Sequence, residues 1–389
     1  MLLQLPRHAV TILQTIAAAG GQGYVVGGAL RDLLRGKTPQ DWDFAATLPA
    51  ATLLGIFSGA KLIGGICGTV QVPFGTTTCE ITPCRAERGY TDHRHPDEVV
   101  LVSDILQDLA RRDFTINAMA FNGEALFDPF GGQQDLEAGI LRCVGNPAMR
   151  FQEDPLRILR LFRFMATLGF APAAETFAAA VNAMQSLATL SPERVRAEVE
   201  QILLSPMPQV LGTLVTNGGL RGYGFKFAPQ LKTFKEVPPT LLCRWWAFIT
   251  QCGAKVEQVG SRFGFSARFL KDLNECTRLY HLGPAASKVE LKMKLRNTLL
   301  DYAELSATFA AVNPVFIGEP VLYAAVRAKR EPYRLAQLAI DGDMLRHEGI
   351  RGEKCGRILE ELLKTVIKDP ALNQGPVLMG LAEGLKQLL

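Results

Sequence analysis

A pair of glycines followed closely by two aspartates is the part of this sequence best suited to chemistry. Gly27 and Gly28 come directly after the apolar run Tyr24–Val26, and Ala29–Leu30–Arg31–Asp32 follows. Glycine lets backbone N–H groups approach a bound phosphate, and the N-terminus of a helix attracts anions. The pattern therefore predicts a strand, a tight turn and a helix that can hold a phosphate group.

The two aspartates, Asp41 and Asp43, lie on either side of Trp42 in a segment predicted to be extended. Side chains alternate between the faces of a strand, so both carboxylates should point the same way. Two such carboxylates beside a phosphate-binding turn suit paired Mg²⁺ ions in phosphoryl transfer. Two surface aspartates near a turn explain an isolated Asp-x-Asp equally well, and the upstream glycines favour the metal.

A third carboxylate is predicted on a neighbouring strand. Glu80 lies in the strand-like run Thr78–Thr82, which should pair beside the aspartates. It is either a further catalytic carboxylate or the ion-pair partner of Arg85 or Arg88, and the sequence favours neither.

A second set of polar residues has the spacing of one helix face. Arg157, Arg160 and Arg163 recur every three residues, which places them along one side of a helix. Asp154 and Arg157 can present a hydrogen-bond acceptor beside a planar donor fork, a combination that can read the edge of a base. The alternative is an ordinary amphipathic helix with Glu–Arg pairs.

The order and spacing of these motifs, together with Arg111–Ala118 and Glu153–Arg160, resemble class II CCA-adding enzymes (tRNA nucleotidyltransferases). This family is shared with bacterial poly(A) polymerases. The resemblance is strong over residues 20–205 and weaker at 339–345 and 349–363.

The resemblance implies a role for each motif residue. Asp41, Asp43 and Glu80 would be catalytic, with the two aspartates holding Mg²⁺. Arg112 would bind the triphosphate and Asp113 the ribose of the incoming nucleotide. The implied nucleotide-binding residues are Gly28, Arg31, Arg112, Asp113, Asp154, Arg157, Arg160 and Arg163.

The resemblance also implies which of these residues select the base of the nucleotide. Asp154 and Arg157 would select C or A, Arg160 and Arg163 would hold base or phosphate, and Glu153 would orient Arg157. Alternatively, Arg111, Arg112 and Asp113 are a salt-bridged helix start.

The predicted fold class is α+β: a small mixed α/β nucleotidyltransferase head followed by an all-helical neck, body and tail. Strand-like runs are confined to the first third, and helical periodicity dominates from about residue 152. We expect the head at 1–140, the neck with base recognition at 141–210, and tRNA-binding body and tail at 211–320 and 321–389. A helix should start at Ser191–Pro192.

Charge distribution indicates where a polyanion binds. Residues 221–300 carry 14 lysines and arginines against 5 acidic residues, a net +9 in a chain whose total is +4. This basic segment predicts a nucleic-acid surface, with contacts from Lys288, Lys292, Lys294 and Arg296. A solvated helical surface is the simpler explanation.

Composition excludes several classes of protein. No apolar run reaches the length of a membrane span, and the eight cysteines contain no C-x-x-C pair, which argues against a zinc site or a disulfide framework. We therefore expect a protein of the reducing cytoplasm, with no membrane partner.

The predicted function is template-independent addition of CCA to the 3′ end of tRNA from CTP and ATP, with contacts to the acceptor and elbow region. The polar loop from Arg85 to Pro96 resembles the mobile loop that CC-only enzymes have shortened, so CC-only addition is disfavoured. The nearest alternative is an A-adding enzyme or poly(A) polymerase with the same site. A distant one is an inactive RNA-binding protein on this scaffold.

Overall fold

A computed structural model describes residues 3–63, 68–75, 77–89, 97–227, 231 and 233–388. The chain divides into two compact units, Met1–Gly222 and Tyr223–Leu389. The first contains a mixed sheet followed by helices and the second is helical in its described part, so the predicted α+β class is confirmed. The first unit ends at Gly222, and nothing in this division tests the finer neck, body and tail boundaries.

The head is built on a seven-stranded sheet, in the order β3-β4-β5-β2-β1-β8-β9. Two further strand pairs, β6 with β7 and β10 with β11, lie outside it. The strands are β1 Gly23–Val26, β2 Trp42–Ala46, β3 Lys61–Ile63, β4 Thr69–Phe74, β5 Thr77–Pro83, β6 Arg85–Arg88, β7 Glu98–Leu101, β8 Ala120–Phe121, β9 Leu126–Phe127, β10 Ile140–Leu141 and β11 Ala171–Pro172.

The centre of this sheet brings the sequence motifs side by side. Strand β2 is antiparallel to β1 and parallel to β5, and its register places Asp43 opposite Glu80. The predicted strands at residues 24–26, 43–46, 69–73, 79–81 and 99–102 are all present, and their bounds differ by at most two residues at either end.

Both faces of the central strands are covered. Along β1, Val25 packs into a cluster with Ile12 and Ile16 of the first helix, whereas Tyr24 and Val26 pack with Leu109 on the opposite face. Alternating side chains that are apolar on both faces explain why this strand is a continuous apolar run in the sequence.

Short helices cover this sheet, and longer ones follow it. The helices of the first unit are α1 Arg7–Ala18, α2 Gly27–Leu34, α3 Ala50–Ile56, α4 Ile105–Ala110, α5 Gly132–Ala138, α6 Pro147–Glu153, α7 Leu156–Leu168, α8 Ala174–Asn182, α9 Pro192–Leu203 and α10 Val210–Thr216. A short 3₁₀ turn at Thr115–Asn117 follows α4.

Helix α7 is amphipathic: Ile158, Leu159, Leu161 and Phe162 are fully buried. Helix α9 packs along it and begins at Pro192, as predicted. Ser191 occupies the N-cap position, but its side chain accepts no capping hydrogen bond from the helix.

The described part of the second unit is helical. Its helices are α11 Leu241–Gln251, α12 Val256–Phe263, α13 Ala267–His281, α14 Lys288–Leu295, α15 Tyr302–Val312, α16 Glu319–Ala328, α17 Gly342–His347, α18 Glu353–Lys368 and α19 Gly375–Leu388. Helix α11 places Trp245 and Trp246 at the centre of an aromatic core, where Trp246 contacts Tyr280 and Phe309. Helices α17, α18 and α19 share a separate apolar cluster.

Two compositional expectations can be compared with the structure. The cysteines within the described residues are all free thiols. Among the described helices, none combines the length and apolar character needed to traverse a bilayer.

Candidate active site

The glycine turn forms one wall of a cavity in the first unit. Gly27 has a φ of +63°, and a Cβ added there would lie 3.3 Å from Arg112 Nη1 and 3.5 Å from Asp43 Oδ2. A side chain would be strained and would intrude on both charged groups. The turn therefore lets the start of α2 face the cavity without obstruction.

The cavity, of about 580 Å³, collects most of the predicted site residues. They come from four separate parts of the chain: the glycine turn, β2, the segment after α4, and α7. The predicted residues that line the cavity are Gly28, Arg31, Asp43, Arg112, Asp113, Asp154, Arg157, Arg160 and Arg163.

Asp41 and Glu80 are the two predicted site residues that do not line it. Asp41 precedes β2 by one residue and is exposed, and Glu80 is exposed on β5. Arg85, one of the two arginines that the sequence offered as an alternative partner for Glu80, pairs with Glu87 at 2.7 Å.

The Asp43 carboxylate sits in a mixed electrostatic environment. Burial raises its pKa above the ordinary value; Arg112 and Arg31 oppose this, while the charges of Glu80 and Asp41 add to it. A cation bound at the carboxylate would offset the cost of holding the charge there.

The carboxylates of the site suit a metal ion that is also coordinated by a bound substrate. Within the described residues, no group of three or more His, Cys, Asp or Glu side chains is arranged around a metal position. Mg²⁺ at nucleotide sites uses one or two carboxylates together with substrate phosphates and water. Asp43, with Asp41 two residues before it, could supply these carboxylates beside the glycine turn.

Arg111 and Arg112 share one buried carboxylate. Arg111 Nη2 and Arg112 Nη2 donate to the two oxygens of Asp108, at 2.7 and 2.9 Å. Burial alone would raise the pKa of Asp108, but the two arginines outweigh it and hold the pKa below its ordinary value. Both arginines follow the C-terminal end of α4, which rules out the alternative that they begin a helix.

Asp113 is enclosed by donors. Its Oδ1 accepts from Phe114 N and Asn117 Nδ2, and its Oδ2 accepts from Arg160. Burial opposes ionisation, but the charge of Arg160 and these hydrogen bonds lower the pKa to about 2. Asn117 Oδ1 also accepts from Arg31 Nη1 at 2.8 Å, so one network joins α7 to α2.

The three arginines of α7 point into the cavity, as their spacing predicts. Arg157 Nη1 donates to Glu153 at 2.5 Å, and its Nη2 donates to the backbone oxygen of Arg111 at 3.0 Å. The contact with Glu153 is the one that the sequence analysis expected. Asp154 lies just before the helix, where its Oδ1 accepts from Leu156 N.

The chain is similar in sequence to known protein families and to CCA-adding enzymes. Residues 23–142 match the family described as "Poly A polymerase head domain", and residues 169–220 match "Probable RNA and SrmB- binding site of polymerase A". The CCA-adding enzyme of Bacillus pumilus is 43% identical over 198 residues, which are 50% of this chain and 49% of that protein.

The CCA-adding enzyme of Geobacillus kaustophilus is 34% identical over 245 residues, 63% of this chain and 60% of that protein. The crystal structure of the Bacillus stearothermophilus CCA-adding enzyme in complex with CTP superposes with a TM-score of 0.79 at 25% identity, covering 99% of both chains. Residues 23–142 and 169–220 are therefore similar in sequence to the tRNA nucleotidyltransferase/poly(A) polymerase family, and the fold is similar over nearly the whole chain.

Similarity to this family implies a divalent metal ion at the site. The sequence match spans about half of the length of the Bacillus pumilus relative and three-fifths of the Geobacillus one. The backbone similarity, by contrast, extends over nearly the whole chain. A Thermotoga maritima CCA-adding enzyme complexed with tRNA shares the fold, with a TM-score of 0.71 at 20% identity.

Four further residues of this site were not predicted from the sequence. Asp108 anchors two arginines, and Phe164 lies within 5.5 Å of the guanidinium carbons of Arg31, Arg160 and Arg163. Arg194 and Glu198 of α9 pair with Asp154 and Arg163, at 3.1 and 2.7 Å. The four-residue spacing of Arg194 and Glu198 was the one available signal, since it places both on the same helix face.

The basic segment of residues 221–300 is only partly available to a nucleic acid. Lys292 is 1% exposed and pairs with Glu331, and Lys294 is 5% exposed and pairs with Glu319. The two acidic partners lie outside the segment, so the local excess of positive charge overstates the surface charge. The expectation that Lys292 and Lys294 contact RNA was therefore wrong, because both are buried in ion pairs. The exposed cations of the segment include Lys255, Arg262, Arg268 and Lys271.

The predicted loop from Arg85 to Pro96 begins in an ordered hairpin. Strand β6 pairs with β7 in antiparallel register, and Arg85 lines the cavity. Residues 90–96 lie outside the described residues, so the remainder of the loop stays a prediction.

Proposed function

We propose that this chain adds CCA, without a nucleic-acid template, to the 3′ end of tRNA, using CTP and ATP and releasing pyrophosphate. One observation carries the proposal: a phosphate-binding turn, the Asp43 carboxylate and the Asp154–Arg157 pair converge on one cavity. The nucleotide's phosphates, reacting centre and base each find a chemically suitable group there.

The turn at Gly27 and Gly28 binds phosphate oxygens through backbone N–H groups at the start of α2. Arg112, held by Asp108, supplies a guanidinium beside this turn, 3.3 Å from the position of a Cβ on Gly27. A cation fixed in advance by a buried partner loses less entropy when it binds the triphosphate.

Asp43 and Asp41 are the residues that would hold Mg²⁺. When bound, the metal makes the tRNA 3′-hydroxyl more acidic and neutralises charge on the transferring phosphate. The bond from the 3′ oxygen to the α-phosphorus forms as the bond from the α-phosphorus to its bridging oxygen breaks. The hydroxyl gives its proton to solvent water, and pyrophosphate departs with the electron pair of the broken bond. Glu80 supports the site electrostatically from the neighbouring strand.

Asp154 and Arg157 read the base. The amino groups of cytosine N4 and adenine N6 are donors, whereas uracil O4 and guanine O6 are acceptors. An ionised carboxylate only accepts hydrogen bonds, and a guanidinium only donates. Asp154 therefore favours the amino-bearing bases, while Arg157 donates to the adjacent ring nitrogen or carbonyl. Arg160 and Arg163 line the cavity beside this pair and bind the base or a phosphate group.

The remaining expectations belong to the same proposal. Residues 1–140 serve as catalytic head, 141–210 as base-recognising neck, and 211–320 and 321–389 as tRNA-binding body and tail. The exposed cations of the second unit contact the tRNA backbone. The free thiols suit a reducing cytoplasm.

The decisive experiment uses tRNA that ends before its CCA, ends in C or ends in CC, with labelled CTP or ATP and Mg²⁺. We expect two C additions and one A addition, stopping at CCA. Addition of A alone to tRNA ending in CC would indicate an A-adding enzyme, and unlimited A addition a poly(A) polymerase. Binding of tRNA with no incorporation at all would support the inactive RNA-binding alternative.

A further inference from the structure

The carboxylate that we assign to base reading is itself held by a residue outside the cavity. Arg194 Nη2 donates to both oxygens of Asp154, at 3.2 and 3.1 Å. Arg194 comes from the first turn of α9, and it does not line the cavity that Asp154 lines. The guanidinium thus reaches the carboxylate without taking the space of a nucleotide.

We propose that Arg194 is a positioning residue for base selection, which fixes Asp154 in the orientation that accepts a hydrogen bond from an amino-bearing base. This inference deepens the proposed function and rests on it.

The two members of the base-reading pair have matching supports. Arg157 is fixed by Glu153 and by the backbone oxygen of Arg111, and Asp154 is fixed by Arg194 and by Leu156 N. Neither Glu153 nor Arg194 lines the cavity. A site that discriminates through one acceptor and one donor requires both to be held, because a mobile reader can adapt to the wrong base.

The other charges of the cavity explain why Asp154 needs an anchor. Arginines predominate among the charged residues that line the cavity with it: besides Arg157 they include Arg31, Arg85, Arg111, Arg112, Arg160 and Arg163. A carboxylate released from Arg194 would form an ion pair with a guanidinium inside the cavity. It would then cease to present an acceptor and would occupy the position of the base.

The same helix supplies a matched control. Arg196 lies two residues further along α9, pairs with Glu200 at 3.9 Å and does not line the cavity. Arg194 and Arg196 have similar exposed fractions, 22% and 32%. Replacing either by methionine removes one charge from α9 and keeps a long apolar stem.

The experiment measures kcat/KM for CTP, UTP, ATP and GTP with Arg194→Met, Arg194→Lys and Arg196→Met. For Arg194→Met we expect the CTP/UTP and ATP/GTP ratios to fall about tenfold or more, mainly through weaker reaction with CTP and ATP. Arg194→Lys should recover part of each ratio, because it keeps a charge but lacks the planar fork. Arg196→Met should leave both ratios at the wild-type value.

A uniform reduction with all four nucleotides, accompanied by a lower melting temperature, would mean that the Arg194–Asp154 pair only stabilises the fold, and would overturn the inference. Ratios that stay at the wild-type value would overturn it too. If Arg194→Met fails to fold, Arg194→Gln gives the same comparison.

Equilibrium binding separates this inference from the proposed function. If the wild-type protein transfers no nucleotide to tRNA, the proposed function fails, and Kd values for CTP and UTP then decide the inference. Loss of CTP preference in Arg194→Met would support it, and an unchanged preference would refute it.

Discussion

Arg160 donates through Nε to Asp113 Oδ2 at 2.7 Å, and its Nη2 lies 2.6 Å from the same oxygen, across 47 residues of sequence. The pair joins α7 to the segment after α4, and Asn117 extends the connection to Arg31 of α2. The walls of the cavity are thereby fixed by charge-assisted hydrogen bonds before any nucleotide arrives.

This pair makes stability depend on acidity. The folded pKa of Asp113 is about 2, below the ordinary value of 3.8. A carboxyl group whose pKa is lower in the folded state stabilises the fold at pH values above its pKa in the unfolded state. This stabilisation is lost as the pH falls towards the pKa of the folded state. The contribution is about 2 kcal/mol above pH 5, and about half of it is lost at pH 3. Urea unfolding of wild type and Asp113→Asn should show a stability gap that narrows between pH 5 and pH 3; a constant gap would contradict the assignment.

Replacing Asp43 by asparagine should abolish incorporation of both nucleotides, a loss of several kcal/mol in transition-state stabilisation. Asp41→Asn should also impair incorporation, because we assign Asp41 to the same metal. Glu80→Gln serves as the comparison: because the Glu80 side chain is exposed and outside the cavity, its effect should be smaller. Since burial raises the pKa of Asp43, the charge is unfavourable without metal, and Asp43→Asn should melt at a higher temperature in EDTA. A folded Asp43→Asn enzyme with near-normal turnover would rule out the metal assignment.

Truncating Asp154 or Arg157 to alanine should relax discrimination among the four nucleotides more than it slows transfer. The reason is that both side chains line the cavity and can contact the base edge, whereas the transferring phosphate lies towards the glycine turn. Single-nucleotide kcat/KM values measure this. An equal reduction for all four nucleotides, with CTP and ATP still preferred, would remove the pair from base reading.

The tRNA surface can be tested with exposed and buried cations of the same segment. Combined replacement of Lys255, Arg262 and Lys271 by glutamine should raise the tRNA KM and flatten the salt dependence of binding, by about one unit of slope for each phosphate that the variant no longer neutralises. Lys292→Met and Lys294→Met are the matched controls. Because both lysines are buried in ion pairs, these variants should lower the melting temperature and leave the slope unchanged. An unaltered slope in the triple variant would move the tRNA surface elsewhere.

Shortening the loop between β6 and β7 should separate C addition from A addition. The hairpin holds Arg85 at the cavity. We expect the loop that this hairpin carries to reposition the base-reading residues for the larger purine. We expect a variant with part of residues 90–96 removed to add CC and to lose the final A, as read from product lengths on a sequencing gel. Completion of CCA at the wild-type rate would show that the loop is only a connector, and loss of CC addition that it belongs to the core.

The local sequence pattern correctly predicted the features that depend on residues close together in the chain. The strand, turn and helix around Gly27 depend on an apolar run and on the backbone freedom of glycine, and both can be read directly from the sequence. The shared face of Arg157, Arg160 and Arg163 follows from helical periodicity alone. The start of α9 at Pro192 follows from the fixed φ of proline.

The local sequence pattern could not predict the ion-pair partners of these residues, because each partner is distant in the sequence. Asp154 meets Arg194 across 40 residues, Asp113 meets Arg160 across 47, and Lys292 meets Glu331 across 39. The charge count over residues 221–300 includes Lys292 but not its partner Glu331, which lies outside the segment. The count therefore predicted an exposed cation where folding buries it in an ion pair. The sequence determined which groups could do chemistry; tertiary packing decided which of them face the cavity and which serve to hold the others.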